Sequence, residues 1–442
     1  MTVSWDLGRR RLATPDVPWR PGSWDVVSVV TVYVVLLLAV PSRLAFAPLG
    51  GEGTPAAVLG SVLLLWWLAG WVLSPFRPTM TARPLRIALA LMTAAVLVSY
   101  VVASTRLVDP AELRSADRGL ITLTALLGVA LLVADGVPNE RRLEILLRRL
   151  VVGTSCLAVV GMLQYFTGFD LARHIAVPGL TATGELGGIG QRSALRRVAA
   201  TAIHPIEYGV VLAAVLPLAL HFALHARPGR RARWWGAVAL IGVAMPMSVS
   251  RSAFVGFAAA SLVLLRGWNR SRRLGFLLCA PLFVVGVRLL APGLVGTIRS
   301  LFLSIGSDAS TTGRASRAGS VGHYLSTAPF FGRGFMTFTP VLYRLLDDEY
   351  LKLLVEVGLV GTLAVAGVFV TAMVCGHTAR TASADPDTRD LGLSLAACVV
   401  VPGVAFITFD AFSFPLIIGL TFLLVGSCGA LWRIGRESDA GE

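Results

Sequence analysis

Lysine is almost absent from this 442-residue chain: Lys352 is the only one, so nearly all of the 39 basic side chains are arginines. The bias reads as a trace of GC-rich coding rather than a device for phosphate. Charge of either sign is scarce too. Charged residues make up 14% and hydrophobic ones 55%, whereas a soluble domain carries about 25% charged residues, so a soluble globular protein is excluded. The formal net charge of +14 does not ask for nucleic acid, because surplus arginine in a polytopic protein collects in cytoplasmic loops. Cysteine is limited to Cys156, Cys279, Cys375, Cys398 and Cys428, all in apolar stretches. Their spacing excludes a disulfide framework or a zinc site and leaves small core side chains. Low-complexity sequence is missing, as is any internal repeat of the kind that marks transporters built from inverted halves.

What the chain has instead is apolar length. Runs able to cross a core of about 30 Å with about 20 residues each fall near 26–42, 55–74, 87–104, 119–134, 150–167, 203–224, 234–249, 252–267, 274–292, 350–375, 391–409 and 412–432. Backbone groups in lipid must bond within their own segment, so these runs are expected to be helices. The expected fold is an all-α polytopic membrane protein with about twelve transmembrane helices. Placing the N-terminus inside puts the arginine-rich connections around 77–86, 141–149, 227–233, 266–273 and 380–389 in the cytoplasm, as the positive-inside rule requires. Both termini are then cytoplasmic: residues 1–25 form an N-terminal segment, 26–432 a single transmembrane domain, and 433–442 a tail. Ala45-Phe46-Ala47 imitates a signal-peptidase site, but the leader holds Asp6, Asp16 and Asp25, which does not fit a compact basic n-region. The first helix is expected to stay uncleaved.

Two long connections fall on the extracytoplasmic side: residues 168–202, and the larger 293–349 between the ninth and tenth helices. In the latter, Arg317, Val321, Tyr324 and Leu325 recur at helical spacing, and PFFGRGF (329–335) follows with Pro329, Gly332 and Gly334. This predicts a short surface helix and then a tight turn.

The polar groups expected at outer helix ends are the candidates for chemistry. In SVSRSAF (248–254), Ser250 or Ser252 can cap the following helix, and Arg251 beside a helix N-terminus suits an anion. The alternative is an interfacial arginine snorkelling to headgroups. In RRVAATAIHPIEYG (196–209), Arg196 and Arg197 close the first outer loop, His204 and Pro205 open a helix, and Glu207 lies a turn inside. An ionisable group at that depth faces protein or water, so Glu207 either pairs structurally or takes part in the chemistry. Arg314, Arg317, His323 and Arg333 add outer cations, and Asp410 lies between the last two helices. In LDDEYLKLLVEVGLVG (346–361), Asp347, Asp348 and Glu349 stand at the mouth of a membrane run, where they either cap the helix or act as a base. Guanidinium groups can grip a diphosphate bidentately and stabilise it as a leaving group, while a carboxylate takes a proton from an acceptor hydroxyl. No Asp-x-Asp pair stands in an obvious nucleotide-binding loop, so neither a sugar nucleotide, a divalent cation nor another cofactor is expected.

From about residue 150 onward the chain resembles the O-antigen ligase and O-antigen polymerase superfamily. The likeness rests on Arg197 with TAIHPIEYG, Ser250-Arg251 opening a helix, Arg317 through PFFGRGF, and DDEYLKLLVEVGLVG. It implies a helical fold of the lipid-dependent glycosyltransferase type and metal-independent transfer of undecaprenyl-diphosphate-linked glycan on the outer face of the bacterial inner membrane. Arg197 and Arg251 match the family's functional arginines, with Arg317 as a third contact to the diphosphate. Ligases typically carry His-Asn where this chain has Asp347-Asp348, a departure that suits a polymerase-like relative. Asp347 or Asp348 is therefore the expected acceptor base, supported by His204, Glu207, Glu349 and Asp410. The implied partners are a lipid-linked oligosaccharide donor, a glycan or lipid acceptor, membrane lipids and polysaccharide-assembly proteins. A polysaccharide transporter or flippase is the alternative from another class.

Overall fold

The computed structural model describes residues 25–73, 83–106, 109–183, 190–192, 195–290, 293, 295–296, 321–339, 342–343 and 346–440. Arg314 and Arg317, and nearly all of the expected N-terminal segment, lie outside them.

Within the described residues, helix occupies most of each predicted apolar run. In chain order these are α1 (Val26–Ala39), α2 (Pro55–Leu73), α3 (Pro84–Thr105), α4 (Pro110–Gly136), α5 (Glu140–Thr167), the short α6 (Leu171–His174), α7 (Pro205–Leu224), α8 (Pro228–Ala244), α9 (Arg251–Gly267), α10 (Arg270–Leu290), α11 (Glu349–Glu356), α12 (Gly358–Ala382), α13 (Pro386–Ala405) and α14 (Pro415–Ala440). Seven of them open on proline, whose missing N–H costs nothing at that position. Asp25, Asp109, Asn139 and Asp385 cap four starts by accepting a backbone N–H from the first turn.

By length and composition α2, α3, α4, α5, α7, α12, α13 and α14 can cross a membrane, eight in all among the described residues. This is a multi-pass helical membrane protein. The other apolar runs are α1, α8 and α9, each under 18 residues, and α10, which carries Arg270, Arg272, Arg273 and Arg288. The connection 168–202 is not wholly irregular: β1 (Leu44–Ala45) pairs antiparallel with β2 (Thr181–Ala182), and β3 (Gly190–Arg192) with β4 (Leu195–Arg197). The apolar signal ends near 432, yet α14 continues to Ala440.

α7 and α14 are nearly all buried and form the centre, while α2 turns Leu65, Trp66, Leu68 and Trp71 outward. α13 packs on α7, α9 and α12, and α4 on α2 and α14.

The tenth predicted span is where the structure departs most. Continuous apolar sequence over 350–375 reads as one helix, but the chain breaks between α11 and α12, with Gly358 at φ 67°. The break is sealed by the PFFGRGF turn, which follows a helix over 321–327. Arg333 N donates to Val355 O at 2.9 Å and Gly334 N to Glu356 O at 2.8 Å; in return Leu359 N and Val360 N donate to Pro329 O and Phe330 O at 2.9 and 3.1 Å. Backbone groups orphaned by the break are thus paired by the turn, as any break in a membrane helix demands. The approach is so close that a Cβ on Gly332 would lie 2.3 Å from Glu356 O, and one on Gly358 2.3 Å from the Phe330 carbonyl carbon.

Candidate active site

Four segments, near 197–207, 248–252, 347–356 and 408–416, meet at the end of the bundle where α7, α9, α11 and α14 begin. The second of these is strained. After a 3-10 turn at Met245–Ser248, the fully buried Val249 takes a left-handed conformation (φ 48°, ψ 46°) before Ser250 leads into α9. That conformation is rare for a β-branched residue and is found where surrounding structure enforces it, as at ligand sites. Arg197, in β4, donates from Nε to Ser248 O at 3.3 Å, so the two arginine-bearing segments are tied together three residues from Arg251. Ser250 holds the cap position without a side-chain capping bond. Ser252 instead accepts from Thr408 Oγ1 at 2.6 Å.

His204 lies within electrostatic reach of both Arg197 and Asp347. Burial, with Arg197 adding to it and Asp347 opposing, lowers its pKa to about 4, so the ring is neutral near pH 7. Its Nδ1 accepts the N–H of Ile206 at 3.1 Å, capping α7, which leaves the proton on Nε2. His204 is therefore a hydrogen-bond donor, not a base.

The acids divide by environment. Asp348 caps α11, with Oδ1 accepting from Leu351 N at 3.1 Å. Asp347, one residue earlier, lies within electrostatic reach of both His204 and Asp410. Glu349 is fully buried and accepts from Phe412 N at 2.9 Å; desolvation raises its pKa to about 8. Glu207 is also fully buried, and its carboxylate accepts from Ile203 N at 2.9 Å and from Leu416 N and Ile417 N at 2.8 and 3.2 Å. It joins the starts of α7 and α14. Asp410 is buried within electrostatic reach of Lys352 and Asp347, with a pKa raised by desolvation.

The sequence reading passed over the one lysine. Lys352 is buried on α11 between Glu349 and Glu356, and its Nζ donates to Ser413 Oγ at 3.2 Å. Desolvation works against the ammonium, but Glu356, Glu349 and Asp410 outweigh it and raise its pKa. Glu356 accepts from Met336 N and Phe338 N at 3.0 and 3.1 Å, which fixes the end of the PFFGRGF turn. The signal was present: Glu349, Lys352 and Glu356 stand at i, i+3 and i+7, one face of a helix. Ser413 and Glu52 also line a cavity of about 170 Å³ with Tyr33, Thr122 and Phe412. Farther out, Arg333 lies over Tyr324 and Tyr343 and donates to the Tyr343 hydroxyl at 2.9 Å.

The structure thus brings Arg197, His204, Glu207, Asp347, Asp348, Glu349 and Asp410 to one end, together with the segment carrying Arg251. A polytopic helical protein with arginines and carboxylates gathered at one end of its bundle is the class defined by fold and site. Residues 236–366, which hold SVSRSAF, PFFGRGF and DDEYLKLLVEVGLVG, match the family model described as O-Antigen ligase. Arg197, His204, Glu207 and Asp410 fall outside the matched residues. No curated protein matches the chain.

Proposed function

We propose that this protein is an extracytoplasmic-face glycosyltransferase that polymerises or ligates undecaprenyl-diphosphate-linked oligosaccharide in surface polysaccharide assembly at the bacterial inner membrane. In this reading all twelve apolar runs are accommodated as membrane segments, both termini are cytoplasmic, and the end holding Arg197 and Asp347 is extracytoplasmic. Arg197 and Arg251 hold the donor diphosphate, with Arg317 as a third contact. The acceptor hydroxyl oxygen attacks the anomeric carbon of the donor sugar. Its proton passes to the Asp347 carboxylate, and the bond from that carbon to the diphosphate oxygen breaks, its electron pair leaving with the lipid diphosphate. Guanidinium groups stabilise the charge that develops there, so no metal is required for the transfer. Neutral His204 donates from Nε2 to the donor or acceptor, Asp348 caps α11, and Glu207, Glu349 and Asp410 shape the site.

One observation carries the reading: Arg197 grips the segment that presents Arg251, and His204 lies within electrostatic reach of both Arg197 and Asp347. A cation suited to the leaving group and a carboxylate suited to the acceptor thus both act on one histidine. Purified protein incubated with a lipid-diphosphate oligosaccharide should lengthen the glycan and release undecaprenyl diphosphate. Movement of intact lipid-linked glycan across a vesicle membrane, with no new glycosidic bond, would support a flippase instead.

A further inference from the structure

At the opposite end of α7 stands a second polar cluster that the proposed transfer does not use. His221, in the last turn of α7, and His225, the residue that caps its C-terminus, lie four residues apart, and Asp390 reaches them from α13; His221 and Asp390 are buried and His225 is half-buried. From His204 to His221 the helix rises about 25 Å at 1.5 Å per residue, so this cluster is no part of the candidate active site. The Nδ1 atoms of both rings face one oxygen, Asp390 Oδ2, at 3.0 and 3.5 Å, and donor atoms of all three residues lie within 4.8 Å of one another.

We propose that His221, His225 and Asp390 form a transition-metal site that fastens α7 to α13. Two donors about 2.1 Å from a tetrahedral zinc ion are about 3.4 Å apart, which is near the spacing already present. Two imidazoles and one carboxylate select Zn²⁺, Co²⁺ or Ni²⁺ over the oxygen-preferring Mg²⁺ and Ca²⁺. Two features would equally suit a hydrogen-bonded clasp: His225 Nδ1 lies 2.9 Å from the His221 carbonyl oxygen, a bond that metal ligation replaces, and Arg272 donates from Nη1 to Asp390 Oδ1 at 2.9 Å with Nη2 3.2 Å from His225 Nε2. The position of Arg272 still leaves Oδ2 to the two rings, and a guanidinium on the other oxygen is the kind of outer partner that orients a ligating carboxylate. When Nδ1 of His225 binds metal, Nε2 carries the proton and turns from Arg272 to Asp387, whose Oδ1 is 3.7 Å away. Asp387 then completes a carboxylate–histidine–metal arrangement. Asp385 and Glu140 add further negative charge around the cluster.

The test uses full-length protein purified in detergent through an affinity tag without histidine, stripped with chelator and titrated with Zn²⁺ and separately with Co²⁺. One zinc per chain should be retained after desalting, with a rise in unfolding temperature, and Co²⁺ should give visible absorption bands of a nitrogen- and oxygen-coordinated ion. His225→Ala and Asp390→Asn should lose the bound zinc and the temperature rise, while Asp387→Asn and Arg272→Ala should each weaken binding by about 10- to 100-fold and still take up one zinc at saturation. Should Asp390→Asn not fold, half-buried His225→Gln carries the same expectation. Equal zinc content in wild type and His225→Ala, or no retained zinc in wild type, would overturn the proposal and leave a clasp whose loss destabilises Arg272→Ala and His225→Ala alike.

Discussion

Glu207 accepts the backbone N–H of Leu416 at 2.8 Å, so a carboxylate in the first turn of α7 seals the first turn of α14. Negative charge at a helix N-terminus is favourable, and this one also satisfies Ile417 N and Ile203 N in a site without water contact. Glu207→Gln keeps the shape but puts an amide where donors converge. It should cost roughly 1.5–3 kcal/mol of stability, the range for hydrogen bonds to charged groups, with turnover per folded molecule retained. Thermal unfolding alongside glycan extension checks this; a stable variant without activity would move Glu207 into the chemistry.

Gly358 allows the break between α11 and α12. An alanine there would meet the Phe330 carbonyl carbon at 2.3 Å in a left-handed backbone, so Gly358→Ala should destabilise by roughly 1–3 kcal/mol, as overpacking does. Gly367, also in α12, has nothing within 4 Å of where a Cβ would stand, and Gly367→Ala should be neutral or slightly stabilising. Equal unfolding temperatures for the two variants would show that the turn does not hold the break.

That break also marks where the sequence stopped being legible. Apolar runs located the helices because lipid leaves the backbone no other partner, and the motifs at the helix ends did converge. Continuity of apolar residues through 350–375 hid the discontinuity, since the groups that seal it come from residues 329–334, earlier in the chain than their partners at 355–360. Asp348 and Glu207 were visible as acids, but whether a carboxylate caps a helix or faces a substrate depends on which backbone N–H lies opposite. Lys352 stood out as the sole lysine, yet its acidic surround required Asp410 from another segment.

Glu349 gives stability a pH dependence. Desolvation raises its pKa from 4.5 to about 8 in the folded chain, so between those values the native state holds a proton that the unfolded state has released. Stability should then fall as pH rises through about 4.5 to 8 and level off above. Glu349→Gln keeps an acceptor for Phe412 N and cannot ionise, so its stability should lose this slope. Denaturant unfolding of both proteins at pH 5, 6.5 and 8 decides it, and parallel profiles would assign the dependence to other groups.

Arg251 follows the strained Val249 and opens α9. If its planar fork grips a diphosphate, Arg251→Lys keeps the charge but not the bidentate geometry, and turnover should fall strongly with expression unchanged. Near-normal turnover in both Arg251→Lys and Arg251→Ala would return this residue to headgroup anchoring.

The paired acids are separated by what each already does. Asp348 spends Oδ1 on Leu351 N, and asparagine caps helices about as well as aspartate, so Asp348→Asn should keep both fold and activity, while Asp348→Ala should cost about 1 kcal/mol of stability. Asp347 is within electrostatic reach of His204 and Asp410. As the acceptor base, Asp347→Asn should still fold and bind lipid-linked donor but lose roughly 10²- to 10⁴-fold in turnover, the range for general-base removal. Glycan extension, donor binding and thermal unfolding measured on the three variants distinguish the roles. A fully active Asp347→Asn would eliminate the assignment, and an inactive but stable Asp348→Asn would transfer it to the neighbour.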